Sequence, residues 1–200
     1  MGLTLNSNSL TLESAGGSVS SGLSQSDVDA RIVTNTPWQF LTKITADFTA
    51  ELEYTEIPEK YTTIRIVYDD LTFQANSYAS IRLFLDGTVH TGSNYQIAGR
   101  ASVNSSTANA YNTRSEFRPI DNYESGGSRH MMGFTDIGGL QPDAHKIFFS
   151  RVSSVQSSSP TNYDLGGYIN GNQTQRVTGF KLYPNSNTWM SGSIKVFGMN

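Results

Sequence analysis

The sequence predicts an all-β protein, a sandwich or a barrel, and three observations carry that expectation. Apolar and polar residues alternate in run after run, the period-2 pattern of half-buried strands. The runs are short, regularly spaced and separated by Gly, Asn and Pro turns. Of the 200 residues only 16% are charged, 11% are aromatic and 18 are Gly. Scarce Lys and Glu with abundant Ser, Thr, Asn and Tyr is strand-and-turn chemistry. A chain of this length buries about two-thirds of its unfolded surface, so it can fold without cross-links, and it contains no Cys.

Residues 1–35 differ from the rest. Leu3-Thr4-Leu5 and Leu10-Thr11-Leu12 repeat one pattern on either side of Asn6-Ser7-Asn8-Ser9. Each is a short strand that a two-stranded ribbon cannot bury. Residues 14–22 read as a flexible Gly/Ser linker. Over Ser24–Ile32 a short helix is expected: Ser24 or Ser26 as N-cap, Asp27 and Asp29 near its positive end, and Val28 and Ile32 four apart on one face. Asn35-Thr36-Pro37 ends it.

From Trp38 the chain reads as about eight strands. Phe48, Ala50, Leu52 and Tyr54 share one face, opposite Glu51 and Glu53. Ile64, Ile66 and Tyr68 alternate with Thr63, Arg65 and Val67, and Ile81, Leu83 and Leu85 with Arg82 and Phe84. Asp86-Gly87 then supplies a tight hairpin turn. Tyr95–Arg100 is a strand and Phe117–Ile120 a weaker one. Ile147, Phe149 and Arg151 alternate with Phe148 and Ser150. Tyr168-Ile169 runs into a second hairpin signal, Asn170-Gly171-Asn172. Phe180 and Leu182 share a face opposite Lys181 and Tyr183, and Ile194 and Val196 repeat that alternation, so a closing strand pair is expected. The Ser102–Arg114 and Ser153–Thr161 stretches read as polar surface loops.

Chemistry is sparse. His90, His130 and His145 are scattered in turn-like contexts, with no carboxylate at metal-ligand spacing, and read as solvated side chains. Glu51, Glu53 and Glu56 read as the wet face of an edge strand rather than a glycosidase pair, and Asp69-Asp70 as no better a candidate. Neither a Gly-x-Ser-x-Gly elbow nor a phosphate-cradling loop is present. No catalytic residue, metal site or cofactor is expected, and the chain reads as not an enzyme. The formal charge of −3 gives no reason to expect nucleic-acid binding. No apolar run of about 18 residues or secretory signal is visible, so neither membrane insertion nor export is expected. Tyr78, Tyr95, Tyr111 and Tyr123 lie in or beside expected loops and are the candidates for surface recognition.

Four blocks, in order, resemble the jelly-roll C-terminal module of tailed-bacteriophage virion proteins. They are the tryptophan and long strand of Trp38–Ile57, the central strand of Tyr61–Tyr68, the Leu85-Asp86-Gly87 hairpin leading to Gly92-Ser93-Asn94-Tyr95, and the ending with Trp189 and Ser191-Gly192-Ser193. The likeness covers residues 36–200 and implies that Trp38 and Trp189 pack in the core. It implies a two-sheet jelly-roll-like sandwich at 36–200, preceded at 1–35 by an extended arm and short helix. It also implies a virion structural protein, a short tail fibre or capsid decoration assembled in the bacterial cytoplasm, or alternatively a receptor-binding tip recognising a host surface glycan. On that reading Leu3, Leu5, Leu10, Leu12, Val28 and Ile32 would contact other virion proteins, capsid or tail, or neighbouring copies in a homotrimer.

Overall fold

The computed structural model describes residues 2–6, 9–14, 17–19, 37–73, 78–103, 106–120, 129–156, 159–171, 174–185 and 188–200. It divides into two compact units, Met1–Gln39 and Phe40–Asn200. The expected helix, with Val28 and Ile32, lies outside the described residues.

In the first unit β1 (Gly2–Asn6), β2 (Ser9–Ser14) and β3 (Gly17–Val19) form a three-stranded antiparallel meander. The two Leu-Thr-Leu repeats pair with each other: Leu3 stands opposite Leu12 and Leu5 opposite Leu10, with Leu12 also opposite Val19. Part of the stretch read as a linker is therefore the third strand, which gives the ribbon an extra ladder.

The second unit is a two-sheet sandwich with jelly-roll connectivity. Eight of its strands carry the roll: β4 (Gln39–Thr45), β5 (Leu52–Tyr54), β6 (Thr63–Phe73), β7 (Ala79–Leu85), β8 (Thr88–Val89), β11 (Arg129–Gly138), β14 (Val177–Pro184) and β15 (Trp189–Met199). They pair from the ends inward: β4 with β15, β5 with β14, β6 with β11, β7 with β8. Alternate pairs fall into opposite sheets, which is how a long hairpin rolls into a sandwich. Four further strands, β9 (Tyr95–Val103), β10 (Ser106–Arg114), β12 (Ile147–Gln156) and β13 (Ser159–Ile169), are inserted on either side of β11 in sequence. They extend one sheet to the order β10-β9-β13-β12-β11-β6-β15-β4, while the other keeps four strands, β5-β14-β7-β8.

Alternation places the core. Ile64, Ile66, Tyr68, Ile194 and Val196 from the large sheet meet Ile81, Leu83, Phe180 and Leu182 from the small one, all buried. Trp189 is 0% exposed, packs edge-on to Phe73 at 5.3 Å and donates from Nε1 to the Leu182 carbonyl. Trp38 is only half-buried, unlike its expected core role. Towards the inserted strands the interior carries polar groups, satisfied as a chain from Tyr68 through Thr135 to Ser150. Asp86 and Gly87 both take positive φ, the type I′ geometry that the right-handed strand twist favours, and close the expected β7–β8 hairpin.

Several expectations are corrected. The two closing runs are strands but not partners, since β14 lies in the small sheet and β15 in the large one. Asn170-Gly171 likewise turns the chain from one sheet to the other rather than into a hairpin. The supposed loops at 102–114 and 153–161 belong to long hairpins, β9–β10 and β12–β13. Their Ser- and Asn-rich segments are held by the backbone ladder rather than by apolar alternation. Phe48 does not join Leu52: the Ala46 N–H bonds to Gly192 O and the Trp189 N–H to Thr49 O, so this stretch follows a bulge in β15. Phe48 is left at positive φ, 68% exposed. Phe117–Ile120 makes only an isolated bridge, Phe117 to Ile81. The sequence carries no strand expectation for β11, and among the described residues this unit has twelve strands where about eight are expected.

Trp189→Ala should destabilise the second unit by about 3–5 kcal/mol, the range for emptying a fully packed aromatic site. Chemical denaturation checks this, and a loss below about 1 kcal/mol would remove the core role.

Candidate functional site

The outer face of the large sheet carries the most unusual surface, and register fixes its rows. One row reads Gln96, Tyr168, Ile147, Gly138 across β9, β13, β12 and β11. The next reads Ala98, Gly166, Phe149, Asp136 and continues to Arg65 on β6. A third reads Arg100, Asp164, Arg151, Phe134. Ile147 is 54% exposed, Phe149 42% and Tyr168 40%. Outward apolar side chains of this size on three adjacent positions are the informative kind of exposure.

Gly166 and Ala98 offer almost no side chain, and the sheet is hollow there. A groove of about 310 Å³ is lined by Gln96, Ala98, His145, Ile147, Gly166 and Tyr168. The Tyr168 hydroxyl donates to Gln96 Oε1 at 2.6 Å, which holds the ring at the groove wall. Beyond the next row a second hollow of about 340 Å³ is bounded by the polar side chains of Arg100, Ser102, Arg151, Ser153, Asn162 and Asp164. Arg151 joins the two: its guanidinium lies 5.8 Å from the Phe149 ring centre and 3.2 Å from an Asp164 oxygen. Arg65 grips Asp136 with two 2.7 Å hydrogen bonds and stacks on Phe134 at 4.3 Å.

Of the four expected recognition tyrosines, Tyr95 and Tyr78 lie away from this face. Tyr95 is corrected outright: it starts β9 on the inward side and is fully buried against Phe148. Its hydroxyl accepts the Leu83 N–H at 3.1 Å, and burial pushes its pKa up. Tyr111 stands opposite Ala98 in the β9–β10 register, and its side chain is outside the described part. Tyr123 lies outside the described residues. Tyr78 belongs to a separate cluster, where Arg118 stacks on its ring at 3.5 Å and donates to its hydroxyl at 2.6 Å.

That cluster centres on Glu116, a buried carboxylate receiving Arg118 at 2.7 Å, Arg82 at 3.2 Å and the Ser115 hydroxyl. Burial alone would raise its pKa, but hydrogen bonds from Ser115 and Arg118 and the arginine charges prevail, and it sits below the usual value. The edge-strand reading of Glu51 and Glu53 fits: β5 edges the small sheet, and Lys181 reaches Glu51 at 2.8 Å, lowering its pKa. Burial and the Glu51 carboxylate raise that of Glu53.

Of the histidines, His130 and His145 are exposed, His130 lying in β11 at 2.8 Å from Asp70. His90 is not fully solvated; it is half-buried beside Tyr95 and bonded to Asn94 at 2.6 Å. Among the described residues no group of three His, Cys, Asp or Glu side chains is placed to hold a metal. Tyr168, Ile147 and Gly166 were missed as site residues. Their only local sequence signal is Tyr168 following Gly166-Gly167; Ile147 and Phe149 join them only through the β12–β13 register. No family model, curated protein or solved structure matches the chain.

Because the Glu116 pKa is lower folded than unfolded, its contribution is present above about pH 4.5 and is lost as pH falls through the folded value. Stability measured against pH should therefore drop below about 4.5 in the wild type. Glu116→Gln should be less stable at neutral pH and show a shallower acid slope. An unchanged slope would assign that acid sensitivity to other carboxylates.

Proposed function

We propose that this chain is a bacteriophage virion structural protein, a short tail fibre or capsid decoration, attached through residues 1–35 and displaying the roll of residues 36–200 outward. The observation that carries the reading is the division into two compact units, Met1–Gln39 and Phe40–Asn200. The first has a sheet whose paired leucines need apolar cover that three short strands supply poorly. The second completes its own core. One unit suited to attachment and one suited to display is the division of labour a surface component of a particle requires. The jelly-roll topology supports this by fold-level analogy, since such rolls serve in viral capsids and lectins. The sequence likeness of residues 36–200 points the same way. A homotrimer in the assembled virion, made in the host cytoplasm, belongs to this proposal, with other virion proteins as partners.

A second reading, a receptor-binding tip for a host surface glycan, is favoured by the groove of Tyr168, Ile147 and Gly166 on the exposed sheet face. The two readings are compatible if display serves attachment.

Antibody against residues 36–200 should label intact particles in immunogold electron microscopy, on the head for a decoration and on the tail for a fibre. Deleting residues 1–35 should leave a folded protein that no longer enters particles. Absence of label on any particle, or normal incorporation of the truncated chain, would overturn the corresponding part of the proposal.

A further inference from the structure

The groove and the neighbouring hollow lie on strands that the roll does not need. β9, β12 and β13 are inserted around β11, and the eight-strand roll is fully paired without them. Here they build a face with apolar and aromatic surface at one end and hydrogen-bonding groups at the other. The two hollows are centred about four residues apart along the strands, at 96–98 against 100–102 on β9, roughly 13 Å, a distance that a short oligosaccharide spans rather than one pyranose ring.

We infer that this face binds an acidic oligosaccharide of the host surface, one sugar ring lying against Tyr168 and Ile147 over Gly166, and a uronic carboxylate further along the same glycan meeting Arg100 and Arg151. Pyranose rings present an apolar C–H face and an equatorial rim of hydroxyls. The first groove offers the matching aromatic and aliphatic wall, with the Tyr168 ring held by Gln96. The second hollow offers Asn162, Ser102 and Ser153 for hydroxyls. Charge selects the acidic class. On the rows bounding the site the cations are Arg65, Arg100 and Arg151, the anions Asp136 and Asp164. Arg65 is taken by Asp136, and Arg151 is engaged by Asp164 at 3.2 Å. Arg100 is exposed and has no ion-pair partner among the described residues. That leaves one net positive charge with guanidinium geometry suited to a carboxylate.

Other occupants fit less well. Strand addition needs a free sheet edge, whereas β9, β13 and β12 are hydrogen-bonded on both sides, by β10 at one end and β11 at the other. A lipid surface needs a broad apolar face, and here the apolar patch stops at a charged row.

The inference rests on the reading of the roll as a displayed module, which particle labelling tests separately. Gly166 gives a clean variant. A Cβ added there meets only the Phe148 and Ala98 carbonyl oxygens, at 3.8 and 3.9 Å, and its φ is not in the positive region. Gly166→Leu should therefore fill the groove without disturbing the core. The full chain would be titrated calorimetrically with a soluble oligogalacturonate and with a malto-oligosaccharide of equal length. Binding of the acidic probe is expected, weakened at high salt, with the neutral probe at least about tenfold weaker. Gly166→Leu and Arg100→Glu should each weaken binding about tenfold or more, with thermal midpoints near that of the wild type. Tyr168→Ala serves as the second groove variant if Gly166→Leu unfolds. Binding that survives both groove variants but falls with Arg100→Glu would mark non-specific attraction and overturn the site. Equal binding of the neutral probe would overturn the acidic class, and binding of neither probe would overturn the inference. Acidic-probe binding without particle label would retire the virion reading and leave the site standing.

Discussion

Everything in the second unit depends on seating β15 between β6 and β4. That strand joins the end of the chain to two elements more than a hundred residues earlier, so the sandwich closes only when its most distant segments meet. Its ladder with β6 is irregular between Trp189 and Ser191 and again between Ser191 and Ser193. The irregularity is absorbed by backbone that few residues adopt: Gly192 at φ +94 and Asp70 at φ +49. A Cβ at Gly192 would stand 2.2 Å from the Asp70 carbonyl oxygen, so only glycine fits there. On the far side of β6 the ladder to β11 shifts between Met131 and Gly133. The bulge thus crosses three adjacent strands, where it bends and twists the sheet locally. Trp189 lies beside it, wedged between Phe73 and the Leu182 carbonyl of the opposite sheet. Pairings this distant in sequence close costly loops, so slow folding is the expected kinetic signature.

Extending one sheet by four strands creates a covering problem, because the smaller sheet has no inserted strands of its own. The segment after β10 helps to solve it with two neighbouring side chains pointing opposite ways. Phe117 turns inward, stacks on Phe148 at 4.6 Å and is joined to β7 through the Ile81 bridge. Gly167 leaves room for it, since a Cβ there would meet the Phe117 ring at 3.1 Å. Glu116 takes the other direction and is clamped by Arg82 and Arg118. The ion cluster is therefore as much a tether for the Phe117 plug as an electrostatic feature. A buried carboxylate with two arginines and a serine has enough partners to offset its desolvation, which a single ion pair often fails to do.

How much of this was legible depends on what each segment buries. Strands with one wet and one dry face declared themselves: Phe180 and Leu182 inward against Lys181 and Tyr183, or Ile64 and Ile66 against Arg65. Asp86-Gly87 announced its turn because positive φ at two successive positions demands such residues. Sheet membership was not legible. Alternation says that β14 and β15 each have a buried face, yet nothing local says that the chain changes sheets between them. The inserted strands were legible only in part, at Tyr95–Arg100, Ile147–Arg151 and Tyr168-Ile169, and their Ser- and Asn-rich stretches were hidden for another reason. Ser150, Ser154 and Thr161 occupy inward positions and are buried, so the polar–apolar code breaks down where hydrogen bonds replace apolar packing. Tyr95 was misplaced because it follows Gly92-Ser93-Asn94, and position after a turn does not reveal which way the first strand residue points. The groove was illegible because it arises from cross-strand neighbours more than sixty residues apart, Ala98 beside Gly166 and Gln96 beside Tyr168.

The separation of scaffold from exposed face has a consequence for how this surface tolerates change. Gly166, Ile147, Phe149 and Arg100 point away from the core, and their backbones are fixed by ladders on both sides. Replacing their side chains alters shape and charge at the surface without opening a cavity, so the stability cost is small compared with that at Trp189 or Gly192. A rigid ladder also holds outward groups at spacings set by the sheet, which lowers the ordering cost of binding. Rigid placement and cheap substitution are together what a recognition surface needs when its target varies. The β9–β13–β12 face has both properties, and the roll supplies neither the groove nor Arg100 and Arg151.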